Sequence, residues 1–355
     1  MVFFVLLFLI CACLCRQKYE QQKKYSLYIV VCMLLLCGLR AENVGADTHN
    51  YMDYALGRID SVHFGVVYEL FRNITKALGG HANMFLMILA AFTYIPLYYV
   101  IKIKSLYPMV SVLIYMIASS RFYLETFNIS RQSIAIIFLL ASYCYFVDKK
   151  YFGVAITYLC AVMFHVSSLF VLPFFLIDKI SLPNLKLCSL ILLISVIVGL
   201  SDITAFITEL LDTLFSLSDS DSGFASFGRY GGRTLNLEWN IVGKLSHCIP
   251  CTLLALFTYS KSSSKSFLYK MLFFGAVILN LMLTNRFCER FASMFLISQI
   301  LVIPIALSEL TGFRKLLLKY FIAVLGMLYV IVLYQQYNTV GSDYYNVIPY
   351  HLFFE

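Results

Sequence analysis

The sequence predicts an all-α polytopic membrane protein, a helical bundle of about 11–12 transmembrane segments with long extracytoplasmic loops. Three observations carry that expectation. Hydrophobic residues make up 61% of the 355 and charged residues 13%, against about 45–50% and 25% in soluble domains. Apolar runs recur along the whole chain. Basic residues gather in clusters between the runs, as they do in short cytoplasmic loops. A mean hydropathy of +0.82 excludes a soluble enzyme and a disordered chain. One integral membrane domain over 1–355 is expected.

The runs fall at about 2–15, 26–39, 84–101, 106–120, 132–147, 150–177, 187–201, 241–259, 268–284, 291–308 and 316–334, to be weighed against about 20 residues per crossing. Met1–Cys15 has no Lys or Arg ahead of its apolar stretch and basic residues after it. It reads as a retained first helix rather than a signal peptide. Six basic clusters follow in order: Arg16 to Lys24, Lys102/Lys104, Lys149/Lys150, Lys179/Lys186, Lys261 to Lys270, and Arg314 to Lys319. All six lie on one side only if 150–177 crosses twice, turning near His165-Val166-Ser167-Ser168; a single long tilted span is the alternative. The double crossing is preferred, with both termini outside.

Under that topology the inner side carries 16 basic and 4 acidic residues and the outer side 11 basic and 15 acidic. Fourteen of the inner bases are Lys, and nine of the outer bases are Arg. Arginine presents a planar fork suited to phosphate, whereas lysine is a hydrated point charge. The plain account of the outer arginines is pairing with the outer carboxylates, and some must do only that. The outer segments 40–83 and 201–240 are too long for turns. They carry amphipathic stretches, Val62–Leu78 and Ile203–Leu217, suited to a membrane surface or the cap of a cavity. Ser216–Gly232 is rich in Ser, Gly and Asp and reads as a loop, a gate or a plain connector.

Four places could carry chemistry. In the stretch from Gly38 to Tyr51, Arg40 follows an apolar run directly, and Asp47 and Tyr51 share a face if helix continues; Glu69 follows on the next amphipathic stretch. An Arg40–Asp47 ion pair is the simpler reading. In Asn128-Ile129-Ser130-Arg131-Gln132, Asn128 or Ser130 is a plausible N-cap. Arg131 and Gln132 then occupy the first turn, where the helix dipole and an arginine make an anion site or a headgroup anchor. His165 interrupts an apolar run, and a titratable group at membrane depth is either functional or a satisfied structural residue. Arg286, Glu289 and Arg290 are spaced i, i+3, i+4 and suit a pyrophosphate; Arg229 and Arg233 are a weaker pair.

Other chemistries are poorly represented. The eleven cysteines lie mostly within apolar runs, where cysteine is a small hydrophobe. Cys248-Ile249-Pro250-Cys251 has redox spacing but begins an apolar run with no soluble α/β context, whereas redox chemistry needs an exposed thiol. No phosphate-binding loop, zinc-protease motif or nucleophile elbow occurs, and Asp219-Ser220-Asp221 sits in the Ser-rich loop. No metal or other cofactor is expected, and no nucleic acid.

Taken in order, these segments resemble the EpsG family of bacterial membrane proteins, grouped with the Wzy-type polysaccharide polymerases. The resemblance rests on Gly38-Leu39-Arg40 to Asp47-Thr48-x-x-Tyr51, Glu69, Asn128-x-x-Arg131-Gln132 and Phe164-His165-x-Ser167. Arg290 and Asn346-Val347-Ile348-Pro349-Tyr350 extend it. It covers most of the chain and is weakest over 201–245. The resemblance implies a GT-C-like glycosyltransferase in the bacterial cytoplasmic (inner) membrane. Such an enzyme polymerises undecaprenyl-pyrophosphate-linked repeat units of an O-antigen, capsule or exopolysaccharide on the outer leaflet, with a chain-length regulator as a further partner. It implies His165, Asp47 or Glu69 as the base. It implies Arg40, Tyr51, Arg131, Gln132, Arg286, Glu289 and Arg290 as the groups holding pyrophosphate and sugar. A ligase acting on the same donor and a flippase for lipid-linked oligosaccharide remain as alternatives.

Overall fold

A computed structural model describes residues 1–59, 65–118, 122–201, 241–283, 286–338 and 346–354, with backbone alone at 241–243 and 286–289. Over these residues the protein is the all-α polytopic membrane protein that the sequence predicts. The helices are α1 Val2–Leu14, α2 Tyr19–Gly38, α3 Thr48–Leu56, α4 Gly65–Ala77, α5 Ala82–Lys104, α6 Pro108–Ile117, α7 Phe122–Glu125, α8 Ser130–Val147 and α9 Tyr151–Phe164. A 3₁₀ segment, Val166–Lys179, precedes α10 Leu185–Leu200, α11 Ile241–Phe257, α12 Phe267–Leu281, α13 Arg286–Leu296, α14 Gln299–Glu309 and α15 Gly312–Asn338. Among the described residues, four stretches are long and apolar enough to cross a membrane: Ala82–Lys104, Ser130–Val147, Arg290–Glu309 and Gly312–Asn338. Only 28% of the apolar window of α15 is buried within the protein. Its remaining apolar surface is what a lipid-facing helix presents.

The structure departs from the expected runs in two places, and a third run breaks near the residue where a turn is expected. The run 106–120 becomes α6, ten residues long and buried at every position. It is broken at Ala118, just before the polar Ser119-Ser120-Arg121 of the sequence. The run 291–308 is interrupted at Ile297–Ser298, between α13 and α14. The run 150–177 breaks at His165, where the backbone is extended (φ −152, ψ 109). The Tyr158 hydroxyl donates to the carbonyls of Ser168 (3.0 Å) and Leu169 (3.1 Å). Ten residues of continuous helix rise about 15 Å, so this contact shows that the chain leaves the line of α9 at His165.

The chain clusters into two compact units, residues 1–172 with 303–355 and residues 173–302. In the first, α2 packs closely on α5, and a Cβ at Gly38 would lie 2.7 Å from the Met87 sulfur. Helices α8 and α9 form a tight hairpin through Lys149, whose φ is +59. Lys104 pairs with Asp148, and the Met109 amide donates to Gln22 Oε1 (3.3 Å). The turns that hold the first three basic clusters therefore share one end of this unit. The other end gathers the last turn of α2, α3, the start of α5, the start of α8 and the segment 346–354.

In the second unit, Asn280 Nδ2 on α12 donates to Ser195 Oγ (3.0 Å) on α10 and Thr252 Oγ1 (2.9 Å) on α11. Gly199 allows the helices this close: a Cβ there would lie 1.7 Å from the Asn280 carbonyl oxygen. Lys270, buried at 4% exposure, donates to the Asp178 carbonyl at 2.7 Å. Cys248 and Cys251 are both buried on α11, which deprives the redox spacing of an accessible thiol.

Candidate functional site

The site is built at the end of the first unit away from its lysine clusters. Its foundation is Arg40, 1% exposed. Arg40 Nε donates to Thr48 Oγ1 (2.9 Å), Nη1 to the Cys37 carbonyl, and Nη2 to the Phe127 carbonyl (3.3 Å). Its guanidinium lies 5.5 Å from the centre of the Phe127 ring. A buried charge requires such partners. Their placement on α2, α3 and the loop before α8 makes Arg40 a three-way tie. Gly45, with φ +91, brings the next loop against the same carbonyl, and a Cβ there would lie 2.4 Å from Phe127 O.

The C-terminal segment closes the arrangement. The Gly45 amide donates to the Asn346 carbonyl (2.7 Å), the Ala41 amide to the His351 carbonyl (3.0 Å) and the Phe353 amide to the Leu39 carbonyl (3.0 Å). Arg40 and Leu352 form an isolated antiparallel bridge, and the Tyr350 hydroxyl donates to the Leu36 carbonyl (2.7 Å). Val347 and Ile348 are fully buried beneath it. Two motifs some 300 residues apart in sequence are thus one structural feature.

This scaffold positions α3 and the start of α8. The sequence expects Asn128 or Ser130 to cap α8. The N-cap is instead Ile129, because Asn128 Oδ1 accepts from the Ala46 amide (2.7 Å) and Ser130 Oγ donates back to the Thr126 carbonyl (2.9 Å). Asp47 and Tyr51 share a face of α3, as their spacing requires. Tyr51 is buried and hydrogen-bonded to the Arg131 side chain. Burial raises the Tyr51 pKa above the ordinary phenol value, the Arg131 charge pulls it back, and the Asp47 charge pushes it further up. The phenol is therefore a neutral donor at physiological pH.

Tyr68 of α4 joins this group. It is fully buried, and its pKa is raised well above the ordinary value, chiefly by burial and then by Tyr51, with Arg131 opposing. Its ring meets Phe164 edge-on at 6.0 Å. Phe164 also packs on Phe71, Phe92 and Phe138, an aromatic floor below the polar groups. His165, half-buried, follows Phe164 at the turn. The structure thus brings Asp47, Tyr51 and Arg131 together, with Gln132 buried in the same turn of α8. Glu69, next to Tyr68 on α4, is exposed.

Arg290 is exposed on α13 in the second unit. The side chains of Arg286 and Glu289, and the residues Arg229, Arg233 and Ser216–Gly232, lie outside the described residues. The sequence reading passes over Tyr68 and Glu125. Tyr68, Phe71 and Thr75 mark the buried face of α4, a spacing visible within the Val62–Leu78 stretch. Glu125 is buried at 6% exposure and is the sole carboxylate between Lys104 and Asp148 in the sequence.

On the other face of α3, His49 Nδ1 pairs with Glu42, and His49 Nε2 lies 3.0 Å from Asp53 Oδ2. Asp53 Oδ1 also accepts from Arg58 (3.1 Å). These groups adjoin an open recess of about 580 Å³.

The arginine, tyrosine and carboxylate thus gather at one end of the first unit of a polytopic helical membrane protein. Residues 23–352, nearly the whole chain, match the EpsG family, and the chain belongs to that family. It is accordingly a multi-pass membrane protein of polysaccharide biosynthesis, of a family associated with polysaccharide polymerase-like proteins. No curated protein and no solved structure matches it.

Proposed function

We propose that the protein is a Wzy-type polymerase that extends a glycan carried on undecaprenyl pyrophosphate, at the outer face of the bacterial cytoplasmic membrane. The observation that carries this reading is the meeting of Asp47, Tyr51, Tyr68 and Arg131 from three separate segments of the family-matching region. An acceptor hydroxyl oxygen attacks the anomeric carbon of the donor glycan. The bond from that carbon to the pyrophosphate oxygen breaks, and its electron pair leaves with undecaprenyl pyrophosphate. Arg131, the start of α8 and the neutral Tyr51 phenol offer preorganised positive charge and a donor to that developing anion. Gln132 is the candidate for orienting a phosphate or sugar oxygen. This charge is what a divalent cation supplies elsewhere, so the reading needs no metal.

The acceptor proton goes to His165. It is half-buried at the turn beside the aromatic floor, and a neutral imidazole is a competent base near neutral pH. Asp47, in the cluster with Tyr51, is one rival. Glu69, exposed on α4, is the remaining rival. The test is the surface glycan ladder in cells expressing Arg131→Ala or His165→Ala at matched membrane levels. Single repeat units without a ladder support the reading. A normal ladder in both variants overturns it. Finished glycan left on its lipid carrier points to a ligase, and substrate stranded inside to a flippase.

A further inference from the structure

The recess beside α3 stands apart from the arginine cluster and has a different chemistry. Its walls include Glu42, Asn43, His49, Asn83 and Phe353. Amides both donate and accept, carboxylates accept from hydroxyls, and imidazole does either. Phe353 supplies an apolar face: it is 49% exposed, and Phe354 meets it edge-on at 5.2 Å. The walls are held in place. Asn83 Nδ2 donates to the Arg40 carbonyl (3.0 Å), Asn346 Nδ2 to the Asn43 carbonyl (3.3 Å), and the Phe353 amide to the Leu39 carbonyl (3.0 Å). A volume of about 580 Å³ lies within the range of small-molecule sites.

The position matters as much as the lining. His49 and Asp53 project from α3 about half a helical turn away from Asp47 and Tyr51. One helix, some 10 Å across, therefore has the arginine cluster on one face and the recess on the other. Glu42, the carboxylate among the lining residues, makes the recess hostile to a pyrophosphate. Hydroxyl groups with an apolar ring face satisfy it.

Resting on the polymerase reading above, we propose that this recess is a glycan-binding subsite, which holds sugar rings of the repeat unit while the pyrophosphate lies across α3 at Arg131. Phe353 stacks on a ring face, Glu42 and Asn43 take the hydroxyls, and His49, engaged through both ring nitrogens, positions Glu42. The subsite retains the chain between additions and so sets product length rather than the bond-forming step.

The probe is a soluble oligosaccharide of one or two repeat units, released from the host's own polysaccharide and titrated onto the full chain in nanodiscs. Saturation-transfer NMR reads the bound sugar. Phe353→Ala is expected to weaken binding about three- to tenfold and to shorten the ladder in cells while short products persist. Phe353→Trp restores both, which a merely structural role for the ring does not explain. Unaltered binding in both Phe353→Ala and His49→Ala overturns the subsite. So does binding of Mn²⁺ or Zn²⁺ alone with no oligosaccharide signal, in favour of a cation held by Glu42, His49 and Asp53. A full ladder in both Arg131→Ala and His165→Ala fails the polymerase reading instead, and the titration then still decides the recess.

Discussion

Arg40→Ala separates a scaffold arginine from a substrate arginine. The guanidinium holds Thr48 Oγ1 and the carbonyls of Cys37 and Phe127 in a fully buried setting. Removing it leaves those acceptors without their donor and opens a cavity. A hydrogen bond to a charged group is worth about 1.5–3 kcal/mol, and breaking a buried charged arrangement costs about 3–5 kcal/mol. A loss of about 4 kcal/mol is expected, which at roughly 2–4 °C per kcal/mol for a unit of this size lowers the melting temperature by about 10 °C. Arg40→Lys recovers little, because one ammonium cannot reach three acceptors spread over three segments. Fluorescence-detected size exclusion on heated, detergent-solubilised protein gives the measurement. Hydrogen exchange of the amides at Ala41, Gly45 and Phe353 reports whether the tie to the C-terminal segment loosens. Arg131→Ala should leave the melting temperature within about 2 °C while abolishing the ladder. An Arg40→Ala protein that melts like the parent, with protected amides and lost activity, would refute the scaffold argument and return Arg40 to the substrate.

Gly45→Ala should destabilise by about 2–3 kcal/mol or more, since it combines a positive φ with a Cβ at 2.4 Å from a carbonyl oxygen; thermal stability in detergent checks it. Gly199→Ala should abolish accumulation of folded protein, because its Cβ would lie 1.7 Å from backbone; membrane yield and monodispersity give the readout. Tyr51→Phe should remove a donor and lower turnover about tenfold at unchanged protein level. Burial raises the Tyr51 and Tyr68 pKa values above the ordinary 10. The stability they contribute is thus fully present below pH 10 and is lost as pH rises through their folded values. Tyr51→Phe should flatten that alkaline decline, measured as melting temperature against pH. Leu70 is 56% exposed on α4, on the opposite side from Tyr68. Leu70→Asp should reduce retention of this amphipathic helix at the membrane boundary, read as greater accessibility of a nearby engineered cysteine to an aqueous reagent.

Composition and periodicity determined the class of fold. A chain this apolar must bury its backbone polar groups in helices if it enters lipid, and the described residues are helical on that account. The break at His165 was legible because a polar residue and two serines interrupt an apolar run. The pairing of Asp47 with Tyr51 on one face of α3 followed from a spacing of four. The turns bearing the first three basic clusters do share one end of the first unit. The length of α6 was not legible, since burial by neighbouring helices, not hydropathy, fixes how far a short helix runs. Nor was the N-cap of α8, because the favoured capping side chain is drawn away by the amide of Ala46, which lies 82 residues earlier in the chain.

The site divides along the same line. The sequence by itself determined which residue types could meet a pyrophosphate and a sugar, because charge, hydrogen-bonding capacity and local spacing are properties of the chain. Only the tertiary structure decided that Arg40 faces protein acceptors while Arg131 meets Tyr51. It alone added Tyr68 to them, and it alone placed residues 346–353 against 36–45. Those contacts join segments tens to hundreds of residues apart, and a linear pattern carries no distance across such a gap. Packing supplies it, through a glycine that admits a carbonyl and an arginine that needs three acceptors.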